Sequence, residues 1–176
     1  MASQPNGPRD ATKDERKPTA SSLHRTNRFL YIPYVKENNA ILQYHFDPAN
    51  GNIKPMEPAN ALPSAGTGPR HIAYHPTLPV VYFSNEQHLG VSVYDRDTEG
   101  RLKFRNVCDA VTADEPKEGI SSSYIVVTPD GRFLFARIPG HQRDFDWITR
   151  YEISENGNIS LIGRTPAPDP SRPPRS

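Results

Sequence analysis

The residues best suited to chemistry lie in two short words, GTGPRHIAYHP at 66–76 and YFSNE at 82–86. Gly66, Gly68 and Pro69 let the backbone turn sharply and deliver Arg70 and His71 at the head of an apolar run. Glu86 comes 16 residues after Arg70, at the far end of the next run. If the two runs pair as an antiparallel hairpin, those ends meet. A guanidinium fork beside a carboxylate can bind a substrate carboxylate or phosphate while the carboxylate moves a proton. The plainer alternative is a structural salt bridge capped by His71. His71 and His75 have an HxxxH spacing, but four residues of strand span about 13 Å, too far for two imidazoles to share one ion. His75 reads instead as a turn residue beside Pro76, and His24 holds the matching place in an earlier repeat. Neither metal nor cofactor is expected.

The elements that must position Arg70 and Glu86 show themselves as a repeat. HRTNRFLY (24–31), HPTLPVVY (75–82) and TPDGRFLF (128–135) resemble one another, with starts 51 and 53 residues apart. Each is a turn followed by an apolar run. Each is trailed by a second alternating run that ends in a Gly turn: AILQYHFDPANGNI, GVSVYDRDTEGRL and WITRYEISENGNI. A period near 50 with only strand signals inside the unit is the mark of a β-propeller blade. The expected fold is therefore all-β, a partial propeller of about three four-stranded antiparallel blades, over 23–62, 67–112 and 120–165. In a propeller the first strand of each blade lines the central channel, which would bring Arg70 and His71 to its mouth.

Within the blades, RFLYIPY and AILQYHF read as the middle strands of the first, and the Pro/Gly/Ala/Ser-rich stretch 55–68 as a loop into the second. RHIAYH, VVYFSN, GVSVYD and RLKFRNV follow as four strands, then SYIVV, RFLFAR, ITRYEI and ISLIGRT. Val91 and Val93 alternate with Ser92 and Tyr94, as in a strand held between two neighbours. Tyr31, Tyr82 and Phe135 share one repeat position and read as packing between blades. The TPDGR word is a turn by its Pro-Asp-Gly order, not a calcium loop. HQRDFDW (141–147) reads as a polar surface loop or a lid over the channel mouth.

Composition limits the rest. Residues 1–22 hold no apolar run, which argues against a signal peptide or membrane span and for a disordered tail. Residues 166–176, PAPDPSRPPRS, read as an extended or disordered Pro-rich tail. A formal charge of +1 with scattered basic residues gives no case for nucleic acid. The single cysteine, Cys108, forms no internal disulfide and suits a reducing compartment, so a soluble cytoplasmic protein is expected. Three blades make an open arc with unpaired flanks. That favours a piece of a longer gene product, and it allows self-association through open blade edges or a non-enzymatic interaction module.

The ordered words GTGPRH (66–71), HP (75–76), SNE (84–86), SVYD (92–95) and TPDGRFLF (128–135) resemble the lactonase family of seven-bladed β-propellers, in one register over about residues 18–165. The resemblance implies a lactone-opening hydrolase of the 6-phosphogluconolactonase type in carbohydrate metabolism, or the reverse muconate cycloisomerase, acting on a small lactone or acidic sugar without a metal. It implies that Arg70 binds the anionic end of the substrate and that Glu86 is a general acid or base near the ring oxygen, with His71, Asn85 and Arg137 as substrate contacts. Two places depart from the family pattern: Thr19, after Pro18, stands where the family has a histidine, and Pro139 stands where it carries an arginine, with Arg137 two residues early.

Overall fold

A computed structural model of the chain describes residues 22–23, 28–111, 122–139 and 145–168. These form three four-stranded antiparallel sheets, each built from four strands consecutive in the chain. Blade one comprises β1 (Ser22–Leu23), β2 (Phe29–Tyr34), β3 (Ala40–Phe46) and β4 (Ile53–Asn60). Blade two comprises β5 (Pro69–Tyr74), β6 (Val80–Asn85), β7 (Gly90–Arg96) and β8 (Leu102–Asp109). Blade three comprises β9 (Ser123–Val127), β10 (Phe133–Ile138), β11 (Phe145–Ile153) and β12 (Ile159–Pro168). The arrangement is the three-blade partial propeller that the repeat predicts.

The core lies between blades, because a sheet with two apolar faces buries both against neighbours. Strand β6 shows it best: all six residues of VVYFSN are buried, and their side chains alternate between two cores. Val80 and Tyr82 join Leu134, Ala136 and Tyr151 in the seam with blade three. Val81 and Phe83 join Phe29, Tyr31 and Ile41 in the seam with blade one. Ring pairs of Phe83 with Tyr94 and Tyr94 with Phe104, edge to face at 5.3 and 5.6 Å, fill the second seam.

Each seam also carries one buried polar contact of the same kind. The Tyr31 hydroxyl of blade one donates to the Gly100 carbonyl of blade two at 2.5 Å. The Tyr82 hydroxyl of blade two donates to the Gly157 carbonyl of blade three at 2.8 Å. Burial pushes both phenols well above the ordinary tyrosine range, so both remain donors. Phe135, the third member of the repeat position, is only half-buried.

Four expectations need correction. The stretch read as a loop from Pro55 is strand β4 as far as Asn60, pairing Tyr44 with Pro55 and Phe46 with Ile53. Strand β12 runs past Thr165 to Pro168, pairing Trp147 with Pro166 and Phe145 with Pro168. Both are edge strands, where the N–H that proline lacks has no neighbour to serve. Phe145, Asp146 and Trp147, placed in a loop or lid, begin strand β11. Ser22 and Leu23 pair with Tyr31 and Leu30, so Ser22 belongs to the first blade rather than to a tail. His24, Thr19 and residues 141–144 lie outside the described residues.

Candidate functional site

Strands β5 and β6 form the predicted hairpin, but with an irregularity at the place that matters. Pro69 pairs with Asn85 and His71 with Ser84, so Arg70 is the extra residue of a β-bulge. A bulge re-aims the side chain it carries. The His71 amide, displaced from the ladder, donates to the Ser84 hydroxyl at 3.2 Å instead. The turn before Arg70 is held from both sides. Asn39 of blade one accepts from the Gly68 amide at 2.8 Å and from the Thr67 hydroxyl at 3.1 Å, and donates to the Ser64 carbonyl at 2.9 Å. From the other side the Glu86 amide donates to the Gly68 carbonyl at 2.7 Å. Gly68 has φ +60°, and a Cβ there would run into the Gln87 side chain that covers it.

These contacts bring the Arg70 Nε to 3.4 Å from the Glu86 Oε2. The side chains are 31% and 22% exposed, so both charges reach solvent. The contact is an ion pair rather than a hydrogen bond, since the buried Nε has no hydrogen-bond partner. A guanidinium fork beside a carboxylate is a pairing that can hold an anion. His71 completes the group. Burial, then the Arg70 charge, hold its imidazole below the ordinary histidine range against the opposing pull of Glu86. It is therefore a neutral ring at pH 7, with Nδ1 buried and unpartnered. Its ring stands 6.4 Å from the exposed ring of Tyr124 on β9. Strand β5 lies against β9 and against β2, as expected for the innermost strand of the central blade.

The other two candidates do not join this group. Asn85 is fully buried. Its Oδ1 accepts from the Ser92 hydroxyl at 3.0 Å, and its Nδ2 is buried without a partner. Arg137 sits in blade three on β10, where the buried carboxylate of Asp146 accepts from its Nε at 2.7 Å and lies 2.6 Å from its Nη2. His75 is at the opposite end of β5 from His71. Its Nδ1 accepts from the Thr77 and Leu78 amides, and its Nε2 donates to the Gly131 carbonyl at 3.1 Å. Nδ1 is spent on the turn, as the sequence reading holds, and Nε2 on the neighbouring blade. Among the described residues, no group of three or more His, Cys, Asp or Glu could hold a metal ion, and no helix is long and apolar enough to cross a membrane.

Sequence reasoning missed Asn39, Tyr124 and Asp146. Asn39 gives one signal: it ends a short 3-10 turn at φ +35°, a conformation asparagine tolerates better than most residues. Asp146 was hidden in what read as a polar loop.

A model of the family described as Lactonase, 7-bladed beta-propeller matches residues 1–176. A 6-phosphogluconolactonase of Cronobacter sakazakii is 31% identical over 144 residues, covering 81% of this chain and 41% of that protein. One of Yersinia pestis is 33% identical over 149 residues, covering 83% and 42%. Among solved structures, a periplasmic gluconolactonase of Pseudomonas aeruginosa superposes with a TM-score of 0.75 at 19% identity, over 85% of this chain and 41% of that one. A protein from Lactobacillus plantarum gives 0.74 at 19%, over 86% and 42%. At that identity the likeness shows the fold alone. The chain spans about two fifths of the length of the curated relatives it matches. With the family model matched along all 176 residues and its three blades in place, the chain belongs to the lactonase family of seven-bladed β-propellers.

Proposed function

We propose that this chain carries the substrate-binding and proton-transferring part of a lactone hydrolase of the 6-phosphogluconolactonase type. The observation that supports it most directly is the approach of Arg70 to Glu86 at 3.4 Å on the bulged end of the innermost strand. The Arg70 fork takes the carboxylate or phosphate end of an acidic sugar lactone. Glu86 acts as general base, taking a proton from the water that attacks the lactone carbonyl. As the ring C–O bond breaks, it returns that proton to the departing ring oxygen. Neutral His71 beside them serves as a hydrogen-bonding contact for the substrate. Asn85, bonded to Ser92, and Arg137, tied to Asp146, serve as positioning residues. The unpaired Cys108 fits a reducing compartment, the cytoplasm in preference.

Proton release during hydrolysis of 6-phosphogluconolactone tests the reading, with equilibrium binding of 6-phosphogluconate as a second readout. Hydrolysis above the spontaneous rate, lost in Glu86→Gln while product binding survives and is lost in Arg70→Gln, supports it. A folded protein that neither accelerates hydrolysis nor binds the product overturns it.

A further inference from the structure

The first strands of blades two and three each carry a bulge near their start. On β5 the extra residue is Arg70. On β9 the pairing passes from Ile125 with Ala136 to Ser123 with Arg137, so the extra residue is Tyr124. In an unbroken strand whose Ser123 and Ile125 are both buried, Tyr124 would point to the opposite face. The bulge takes it out of that alternation. Its ring stands 6.4 Å from the His71 ring on β5, tilted by 54°. Ile125 beside it belongs to the buried seam with blade two. The placement of Tyr124 therefore rests on the contact of β9 with β5, inside the seam between blades two and three, and not on an outer flank.

The two bulges give the site two chemically different ends. Arg70 and Glu86, 3.4 Å apart, are the charged end. The face of an aromatic ring carries partial negative charge, so Tyr124 has nothing to offer a phosphate or carboxylate. It offers a flat apolar surface to the C–H face of a six-membered ring. His71, next in the chain to Arg70 and beside the Tyr124 ring, has an imidazole able to hydrogen-bond a ring hydroxyl. A planar diacid without hydroxyls would use neither feature.

We propose that Tyr124 is a specificity-determining residue: its ring packs on the face of a hydroxylated six-membered lactone whose anionic tail lies at Arg70, while His71 holds a ring hydroxyl. The inference rests on the reading of this site as one for an acidic sugar lactone.

Glucose 6-phosphate is the probe, since it has the ring and the phosphate but no lactone bond to open. Its affinity and that of inorganic phosphate are measured by titration calorimetry for wild type, Tyr124→Ala, Tyr124→Phe and Arg70→Gln, with circular dichroism confirming that each is folded. Tyr124→Ala is expected to weaken glucose 6-phosphate about 3- to 10-fold, the size of one aromatic packing contact, and to leave inorganic phosphate unchanged. Tyr124→Phe should bind both as wild type does, because the ring and not the hydroxyl is used. Arg70→Gln should lose both. A merely structural role for Tyr124 would weaken the two ligands together, which overturns the proposal. So does a wild type that holds glucose 6-phosphate no more tightly than phosphate. If Tyr124→Ala leaves glucose 6-phosphate affinity unchanged while Glu86→Gln abolishes lactone hydrolysis, this inference falls and the hydrolase reading stands. If the Tyr124 dependence appears in a chain that hydrolyses nothing, the ring contact stands and the proton-transferring role of Glu86 falls.

Discussion

The Tyr82 hydroxyl donates to the Gly157 carbonyl at 2.8 Å across 75 residues of chain, joining blade two to blade three inside their buried seam. Removing that hydroxyl leaves the carbonyl buried and unsatisfied, which costs about 1 to 3 kcal/mol. Tyr82→Phe is therefore expected to lower Tm by several degrees. Tyr31→Phe should do the same through Gly100. Scanning calorimetry of the three proteins checks this, and an unchanged Tm for both variants would remove the contact from the account of what holds the blades together.

The glycine turns should differ in their tolerance of a methyl group. Gly51 and Gly157 both have positive φ, +76° and +81°. At Gly157 an added Cβ would also come within 2.7 Å of the Val80 side chain, whereas at Gly51 it meets open space. Gly51→Ala is expected to cost roughly 1 to 2 kcal/mol for the backbone alone, and Gly157→Ala roughly 1 to 3 kcal/mol more for overpacking. Urea midpoints of the two variants give the comparison; equal losses would contradict it.

Stability should fall in mild acid. Burial holds the His75 imidazole below its ordinary pKa of 6.5, the Gly131 hydrogen bond opposing in part. His71 is shifted the same way. Between the depressed folded value and 6.5 the unfolded chain binds more protons than the folded one, so stability is complete above about pH 6.5 and declines as pH falls through that window. Protonating the His75 Nδ1 would also set it against the Thr77 and Leu78 amides it accepts from. Urea midpoints from pH 7.5 to 5 should drop, and His75→Asn should flatten the slope. A wild-type profile level across this range would count against the buried neutral ring.

The three hydrogen bonds of Asn39 hold the turn that precedes Arg70. Asn39→Ala should accelerate amide exchange at Thr67 and Gly68 by at least tenfold and weaken 6-phosphogluconate binding, while the Tyr82 seam keeps its protection. Unchanged exchange at the turn would show that the Glu86 amide alone is enough to hold it.

Much of this architecture was legible in the residues themselves. The repeat near 50 residues announced the blades, and the distance between Arg70 and Glu86 predicted their meeting, because a hairpin of two six-residue strands returns the chain to its start. The local detail was not legible. IKPMEPAN pairs as a strand only because it lies at a sheet edge, and edge position is a property of the assembled sheet. The bulge at Arg70 depends on the Ser84 hydroxyl catching a displaced amide, which no spacing rule encodes. Phe135 matched Tyr31 and Tyr82 by position, but its half-exposure follows from lying on an outer flank.

The central claim is that the Glu86 carboxylate moves the proton while Arg70 holds the anion. Comparing wild type with Glu86→Gln for 6-phosphogluconolactone hydrolysis, with product affinity measured in parallel, tests it most directly. The account predicts a loss of about 10²-fold or more in the catalysed rate, the size expected when a general acid or base is removed, with product affinity kept within a few-fold. Equal rates in the two proteins, with Arg70→Gln binding 6-phosphogluconate as tightly as wild type, would contradict it.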